Sequence, residues 1–399
     1  MKYVIVLGDG MADWDIEALG GKTPLEYAST PEMDRMAKLS EIGMVKTVPE
    51  GMKPGSDTAN LAVMGYFPRK YYSGRSPLEA LSIGVDMKST DIAIRTNIVT
   101  LSEEDVPFEE RTIIDHSSSE ISTEDAAVLL DAVREQLETD EFKFYVGTSY
   151  RHLLIWDKGT VIELAQPHDH LTEVIGKYLP EDKRFRDMME KSFEILNNHP
   201  INAERAKKGL NKANCLWFWG AGTRPALDLF EDKTGKKGAM ISAVDLLKGI
   251  AVGAGMKVIE VPGADGSLHT NYEGKALAAC KALKDGCDFV YIHVEAPDEM
   301  GHQGSIERKI KAIENLDQRV IKLVNEELTK EGVEYRMAVL PDHPTPIKCR
   351  THTSEAVPYM LYDSTKPLSK TWKYNEREAR ESGNYISEGY KFINKLFEE

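Results

Sequence analysis

The sequence predicts an α/β fold: a mostly parallel sheet with helices on both faces, carrying an inserted α+β domain. Three observations predict it. Short continuous apolar runs, such as "YVIVL" at 3–7 and "FVYIHV" at 289–294, read as strands buried on both faces. Amphipathic helical segments alternate with such runs near the start of the chain and again beyond about residue 238, the grammar of a parallel sheet. Between them lies a stretch that pairs a hairpin pattern with charged helices instead.

Taken in order, the first strand meets Gly-Asp-Gly, and a helix follows at "TPEMDRMAKL", with Thr30 as N-cap and Pro31 at the first helical position. "PGSDTAN" then leads into "LAVMGY", which reads as a helix starting at Ser56. From about 90 to 235 the pattern becomes a strand "DIAIRTNIVTL", a helix "TEDAAVLLDAVREQLE" and a hairpin "FKFYVGTSYRHLLIWD". A charged helical stretch at about 182–208 and a strand "ANCLWFWG" complete it. The first grammar resumes with "GAMISAVDLLKGIAV" (strand, helix), "KVIEV" (strand), "YEGKALAACKALKDG" (helix, glycine stop) and "CDFVYIHV" (strand). A long amphipathic helix "SIERKIKAIENLDQRVIKLVNEEL", strands "YRMAVL" and "VPYMLYD", and a final helix "EGYKFINKLFE" close the chain. The reading is a discontinuous α/β domain, 1–88 with 238–399, an insert, 89–237, and a cleft between them.

The 399 residues exceed one small core and favour two or three domains. A net charge of −15 argues against nucleic acid or an anionic membrane as partner. An anionic substrate would need local positive charge, from arginines or from metal ions. Cys215, Cys280, Cys287 and Cys349 show no C-x-x-C spacing and read as reduced thiols. With no signal h-region and no run of transmembrane length, the expected location is the cytoplasm.

Two glycine motifs are decoys. "GDGMAD" lacks the third glycine of a dinucleotide loop, and Asp9 would face a pyrophosphate. "LGGKT" has Ile16 where a P-loop needs its first glycine. The strongest constellation follows the late strands: Asp298 and His302 in "HVEAPDEMGHQG", Asp342 and His343 in "LPDHPTP", His352 in "RTHTSEAVPY", with Asp9 after the first strand. The C-terminal ends of parallel strands are where such folds place active sites, and mixed His/Asp sets suit divalent metals. Asp and His are also ordinary turn residues. Six such groups at strand ends favour the metal reading. Asp298, His302 and His352 could hold one ion and Asp9, Asp342, His343 and Ser56 another, a pair able to clamp an in-line displacement at phosphorus. Ser56 could then both cap its helix and act as a nucleophile.

These strings resemble the archaeal-type 2,3-bisphosphoglycerate-independent phosphoglycerate mutases of the alkaline phosphatase superfamily. The likeness runs from "LGDGMAD" and "GGKTPLEYASTPEMD" through "PGSDTANLAVMGY", "GRSPLEALSIGV", "SYRHLL", "LWFWGAG" and "ISAVDLLKGI" to "TNYEGKA", "HVEAPDEMGHQG" and "DHPTP…RTHTSEAVP". It implies that Ser56 accepts the phosphoryl group of 3-phosphoglycerate and returns it to the 2-hydroxyl. It implies the same two ligand sets, for two divalent ions (manganese, magnesium, zinc or cobalt). The insert would hold glycerate, with Arg151, His152 and Arg224 as cationic candidates and Lys248 reaching the phosphate. His116 is a weaker candidate, beside Ser118 and Ser119 where the family often has Ala-Gly. His168, His170, His199 and His269 read as loop histidines and His293 as a core residue. "HVEAPDEMGHQG" and "LPDHPTPIKCRTHT" are closer to a bacterial branch proposed to act as homoserine kinases, so phosphotransfer to homoserine is the alternative, and simple phosphomonoester hydrolysis a further one. The expected partner is a small phosphorylated substrate, with homo-oligomerisation left open.

Overall fold

The computed structural model describes residues 1–398 of the chain. It divides into two compact units, residues 1–72 with 226 onward, and residues 73–225. Among the described residues thirteen strands occur in chain order: β1 Lys2–Gly8, β2 Ser40–Val45, β3 Ile92–Leu101, β4 Ile113–Asp115, β5 Phe142–Thr148, β6 Arg151–Trp156, β7 Cys215–Thr223, β8 Gly238–Ile241, β9 Lys257–Val258, β10 Phe289–Val294, β11 Tyr335–Leu340, β12 Val357–Asp363 and β13 Tyr385–Ile386.

The first unit is built on an eight-stranded sheet of order β13-β2-β12-β11-β1-β10-β8-β9. Its centre is parallel, as predicted: β1 pairs with both β10 and β11, and β10 with β8. Only β12 runs antiparallel to its neighbours β11 and β2. Alternation along the central strands decides which layer each side chain joins. Val4 and Val6 of β1, with Val290, Ile292 and Val294 of β10, pack into a core with the helix Tyr272–Lys284 and the helical run from Ile306. Tyr3 and Phe289 turn to the other face, where both rings meet Phe397 edge-on. Helices therefore cover both faces.

The long helix differs from its prediction in one detail. The α-helices Ile306–Asn315 and Lys322–Lys330 are joined by a π-turn, Leu316–Ile321. Within that turn the Asp317 carboxylate accepts the N–H groups of Glu32 (3.2 Å) and Met33 (2.6 Å), at the start of the helix Pro31–Ala37. Thr30 precedes that helix, but its hydroxyl makes no capping bond.

The second unit is a five-stranded sheet, β4-β3-β6-β5 with β7 also paired to β3, and all its pairings are antiparallel. The helices Thr123–Leu137 and Lys183–Leu196 cover one face, burying Leu129, Leu130, Phe185 and Met189 against Leu154, Trp156 and Phe218. The boundaries fall at 72/73 and 225/226, not at 88/89 and 237/238. The helix Arg75–Ser82 belongs to the second unit because Glu79 pairs with Arg95 of β3 (2.9 Å) and the Ser76 hydroxyl donates to Gly220 O of β7. Phe230 belongs to the first because its ring stacks on Phe289 of β10 at 5.1 Å.

Candidate active site

Because β1 lies between β10 and β11 in parallel register, the C-terminal ends of all three strands meet. Asp9 follows β1, the helix Ala296–His302 follows β10, and Asp342 and His343 follow β11. Gly10 makes the approach possible. It has φ 57°, and a Cβ there would stand 2.4 Å from Asp298 Oδ1. This is a left-handed residue with no room for a side chain.

Asp342 is fully buried and fully bonded. Its Oδ1 accepts the N–H groups of Gly10 (3.0 Å) and His343 (2.8 Å), and its Oδ2 accepts from Asn60 Nδ2 (2.9 Å). Asn60 Nδ2 also donates to Ser56 O (2.8 Å), and the Tyr291 hydroxyl donates to Asn60 Oδ1 (2.5 Å). One asparagine thus ties the helix Ser56–Val63 to the end of β11.

Ser56 is the first residue of that helix, and the cap position belongs to Gly55. Gly55 has no side chain to cap with, and the first-turn Thr58 N–H is taken by Asp57 Oδ1 (2.8 Å) rather than by Ser56, which corrects the capping half of the sequence reading. The Ser56 hydroxyl instead points at side chains: His343 Nε2 lies at 3.2 Å and Asp9 Oδ2 at 3.4 Å. His343 Nδ1 lies 3.3 Å from both Pro344 O and Thr345 Oγ1. An N–H at Nδ1 would donate to these oxygens, which leaves the Nε2 lone pair facing Ser56.

Asp298 and His302, four residues apart, share a face of the helix Ala296–His302, and His302 Nε2 is 3.1 Å from Asp298 Oδ2. His352 Nε2 is 3.0 Å from His302 Nε2 and 3.5 Å from Asp298 Oδ1. His302 Nδ1 is fixed by Arg350 O at 2.9 Å. The Thr345 hydroxyl donates to Asp298, so this threonine touches both Asp298 and His343.

Two sets of possible ligand atoms, each within 4.8 Å of one another, result: Asp9, Asp342 and His343, and Asp298, His343 and His352. The electrostatics fit a cation. Burial, then the charges of Asp342, Asp298 and Glu295, raise the Asp9 carboxyl well above the ordinary range. Asp9 Oδ1 is buried with no hydrogen-bond partner among the described residues. Such an oxygen is costly unless a cation satisfies it. Burial pushes Asp298 up, but hydrogen bonds from His302 and His352 outweigh it and hold Asp298 well below the usual value. The same bond from Asp298 raises His302 to about 9, against burial. Metal binding at this group therefore competes with protons.

His293 was read as a core residue, and it is buried, yet its ring also reaches the site. Nε2 lies 2.8 Å from Asp9 Oδ2 and Nδ1 3.2 Å from Ser242 Oγ. Burial lowers it to about 3, so the ring is neutral.

The remaining candidates are Lys248 in the first unit and Arg151, His152 and Arg224 in the second. Lys248 is held by Glu260 (2.9 Å) and Asp245 (3.9 Å), and among the described residues no hydrogen bond joins it to Ser56 or the ligand set. Its expected phosphate role is not supported by its contacts. Arg151 and Arg224 are exposed, while His152 is buried: its Nδ1 accepts the Gly147 N–H (3.1 Å), and its Nε2 has no partner among the described residues. Burial lowers His152 to about 4. Ser118 and Ser119 take left-handed φ values of 50° and 55°, a geometry that a glycine at 119, though not an alanine at 118, would ease. The His116 ring lies between Tyr150 and His168, and His168 meets Trp219 at 5.4 Å.

A family model described as 2,3-bisphosphoglycerate-independent phosphoglycerate mutase matches residues 37–202. A Geobacter sulfurreducens protein named as a probable enzyme of that kind is 45% identical over 404 residues, covering 100% of both chains. The Methanosarcina acetivorans protein of the same name is 46% identical over 389 residues, covering 96% of each. Among solved structures, a Pyrococcus horikoshii protein superposes with TM-score 0.82 at 29% identity, covering 99% of this chain and 96% of its own. A cofactor-independent phosphoglycerate mutase from Thermoplasma acidophilum gives TM-score 0.65 at 26% identity, covering 100% and 99%. No helix among the described residues is long and apolar enough to cross a membrane. The chain belongs to the 2,3-bisphosphoglycerate-independent phosphoglycerate mutase family.

Proposed function

We propose that this protein interconverts 3-phosphoglycerate and 2-phosphoglycerate through a phosphoserine at Ser56, with two divalent ions and no added bisphosphoglycerate. The observation that carries the proposal is the Ser56 hydroxyl, 3.2 Å from His343 Nε2 and 3.4 Å from Asp9 Oδ2, uncommitted to helix capping. Asp298, His302 and His352 would hold one ion; Asp9, Asp342 and His343, with Ser56, would hold the other. Manganese, magnesium, zinc and cobalt all suit such ligands. Bound there, divalent ions would neutralise charge developing on phosphorus oxygens and favour ionisation of the serine hydroxyl.

The chain's own residues supply the rest. Asn60 and the Gly10 and His343 N–H groups hold Asp342 in place, and Asn60 holds the start of the Ser56 helix beside it. In the first half-reaction the Ser56 Oγ–P bond forms, the P–O3 bond breaks, and O3 ends with the proton that Ser56 gave up. In the second, the O2–P bond forms, the Ser56 Oγ–P bond breaks, and the proton that O2 gives up returns to Ser56. The proton count closes without an external acid or base. Arg151 and Arg224 would bind the glycerate carboxylate, guanidinium being suited to bidentate recognition. His152, whose Nε2 has no hydrogen-bond partner among the described residues, would add a donor. Lys248, engaged by Glu260 and Asp245, is left out of this set.

The names carried by relatives at 45 and 46% identity over nearly the whole chain favour glycerate over homoserine as the acceptor. The test is an enolase-coupled assay with 3-phosphoglycerate and manganese, run beside homoserine with ATP. Turnover of phosphoglycerate that requires both metal and Ser56 supports the reading. Turnover of homoserine alone, or release of free phosphate instead of 2-phosphoglycerate, would replace it.

A further inference from the structure

Asp9 owes its orientation to a chain of groups that begins just past the end of β8. Val244 N–H donates to Ser242 Oγ at 3.0 Å. A hydroxyl keeps a second lone pair after accepting one N–H, so the direction is set from the other end: an ionised Asp9 Oδ2 can only accept, and the Ser242 hydroxyl, 3.2 Å from His293 Nδ1, then donates its proton there. That assigns the ring: Nδ1 carries the lone pair, Nε2 carries the hydrogen, and Nε2–H donates to Asp9 Oδ2 at 2.8 Å. The bond occupies Oδ2 and leaves Oδ1 without a hydrogen-bond partner among the described residues, 3.6 Å from His343 Nε2. Sheet geometry sets the alignment. His293 is paired with Leu7 in the β1–β10 register, two positions before Asp9, and the ring is fully buried.

We infer that His293, oriented by Ser242, is a positioning residue that fixes the Asp9 carboxylate so that Oδ1 is presented to a divalent cation. This inference rests on the proposed metal reading. It adds that affinity at the Asp9, Asp342 and His343 group depends on a histidine that is not itself a ligand, whereas the Asp298, His302 and His352 group does not depend on it. Groups that hold a ligating side chain in place are typically worth about 10–100-fold in metal affinity.

The test is calorimetric titration of the full-length protein with Mn²⁺ alone, comparing wild type, His293→Ala, His293→Gln and Ser242→Ala. His352→Ala assigns the two classes of site, because it removes a ligand from the other group. His293→Ala is expected to weaken one class about 10–100-fold and to leave the other within about twofold. His293→Gln, whose amide N–H can reach toward Asp9, is expected to recover most of the loss. Ser242→Ala, which frees the ring to take the other tautomer, is expected to weaken the same class by a smaller factor. Should His293→Ala fail to fold, the Gln and Ser242 variants decide the matter. Unchanged affinities, or equal loss at both classes alongside a lowered Tm, would overturn the inference and leave the metal reading standing. Wild-type protein that binds no Mn²⁺ would overturn both.

Discussion

The Ser56 hydroxyl and the His343 imidazole meet at 3.2 Å although 286 residues lie between them, and Ser56, the first helical residue behind Gly55, makes no capping bond. Two consequences separate a nucleophile from a cap. Ser56→Ala is expected to lower turnover by on the order of 10⁶-fold, the scale of nucleophile removal in a serine enzyme. It is expected to change unfolding free energy by no more than about 0.5 kcal/mol. A cap would cost about 1 kcal/mol. Urea unfolding of both proteins checks the second number independently of activity.

Asn60 carries three hydrogen bonds at once, to Asp342, Ser56 and Tyr291. Asn60→Ala leaves Asp342 Oδ2 and the Tyr291 hydroxyl unpaired in the core and should cost about 1–3 kcal/mol. Tyr291→Phe removes only one of these bonds and should cost less. The order of the two urea midpoints is the readout. Equal midpoints would mean that the Asp342 bond contributes little.

Lys309 is fully buried and donates to Asp13 Oδ2 (2.8 Å), Thr345 O (2.8 Å) and Ala12 O (3.3 Å), joining the loop after Asp9 to the loop after His343. Lys309→Met leaves the Asp13 carboxylate buried without its counter-charge, expected to cost about 3–5 kcal/mol. The double variant Lys309→Met with Asp13→Leu should recover most of that. A double variant no more stable than the single one would show that the lost bonds to the loops, rather than the uncompensated charge, account for the cost.

His152 makes stability pH-dependent. Burial lowers its folded value to about 4, against 6.5 for an ordinary imidazole. Above 6.5 neither state binds the proton and there is no penalty. As pH falls from 6.5 toward 4 the unfolded chain takes up a proton that the folded chain refuses, so stability drops, by about 3 kcal/mol at most. The difference in urea midpoint between wild type and His152→Leu should therefore shift in favour of the variant between pH 7 and 4.5. A constant difference across that range would show that His152 titrates normally in the fold.

Much of the site was legible because the chemistry sits where the pattern changes. Asp9, Asp342 and His343 each follow an apolar run directly, and Asp298 with His302 show helical spacing just beyond another. His293 was not legible as a site residue. It interrupts an apolar strand, and its relation to Asp9 exists only once β1 and β10 are in register. Asn60 and Thr345 are equally plain in sequence; their roles depend on what the folded loops bring to them. The helix Arg75–Ser82 was misassigned for a similar reason. Its apolar face shows that it packs, and the Glu79–Arg95 pair, invisible in one dimension, decides on which sheet. The π-turn at Leu316–Ile321 left no mark in a periodicity that continues through it.

The central claim is a covalent phosphoryl group on Ser56, and it can be observed directly. Purified protein loaded with manganese would be mixed with 3-phosphoglycerate, quenched in acid during turnover, digested, and mapped for phosphopeptides by mass spectrometry. The account predicts phosphate on Ser56, absent from the Ser56→Ala protein, and lost when substrate is exhausted by coupling to enolase. Formation of 2-phosphoglycerate with no phosphate on Ser56 at any quench time, or with the phosphate on another residue, would contradict it.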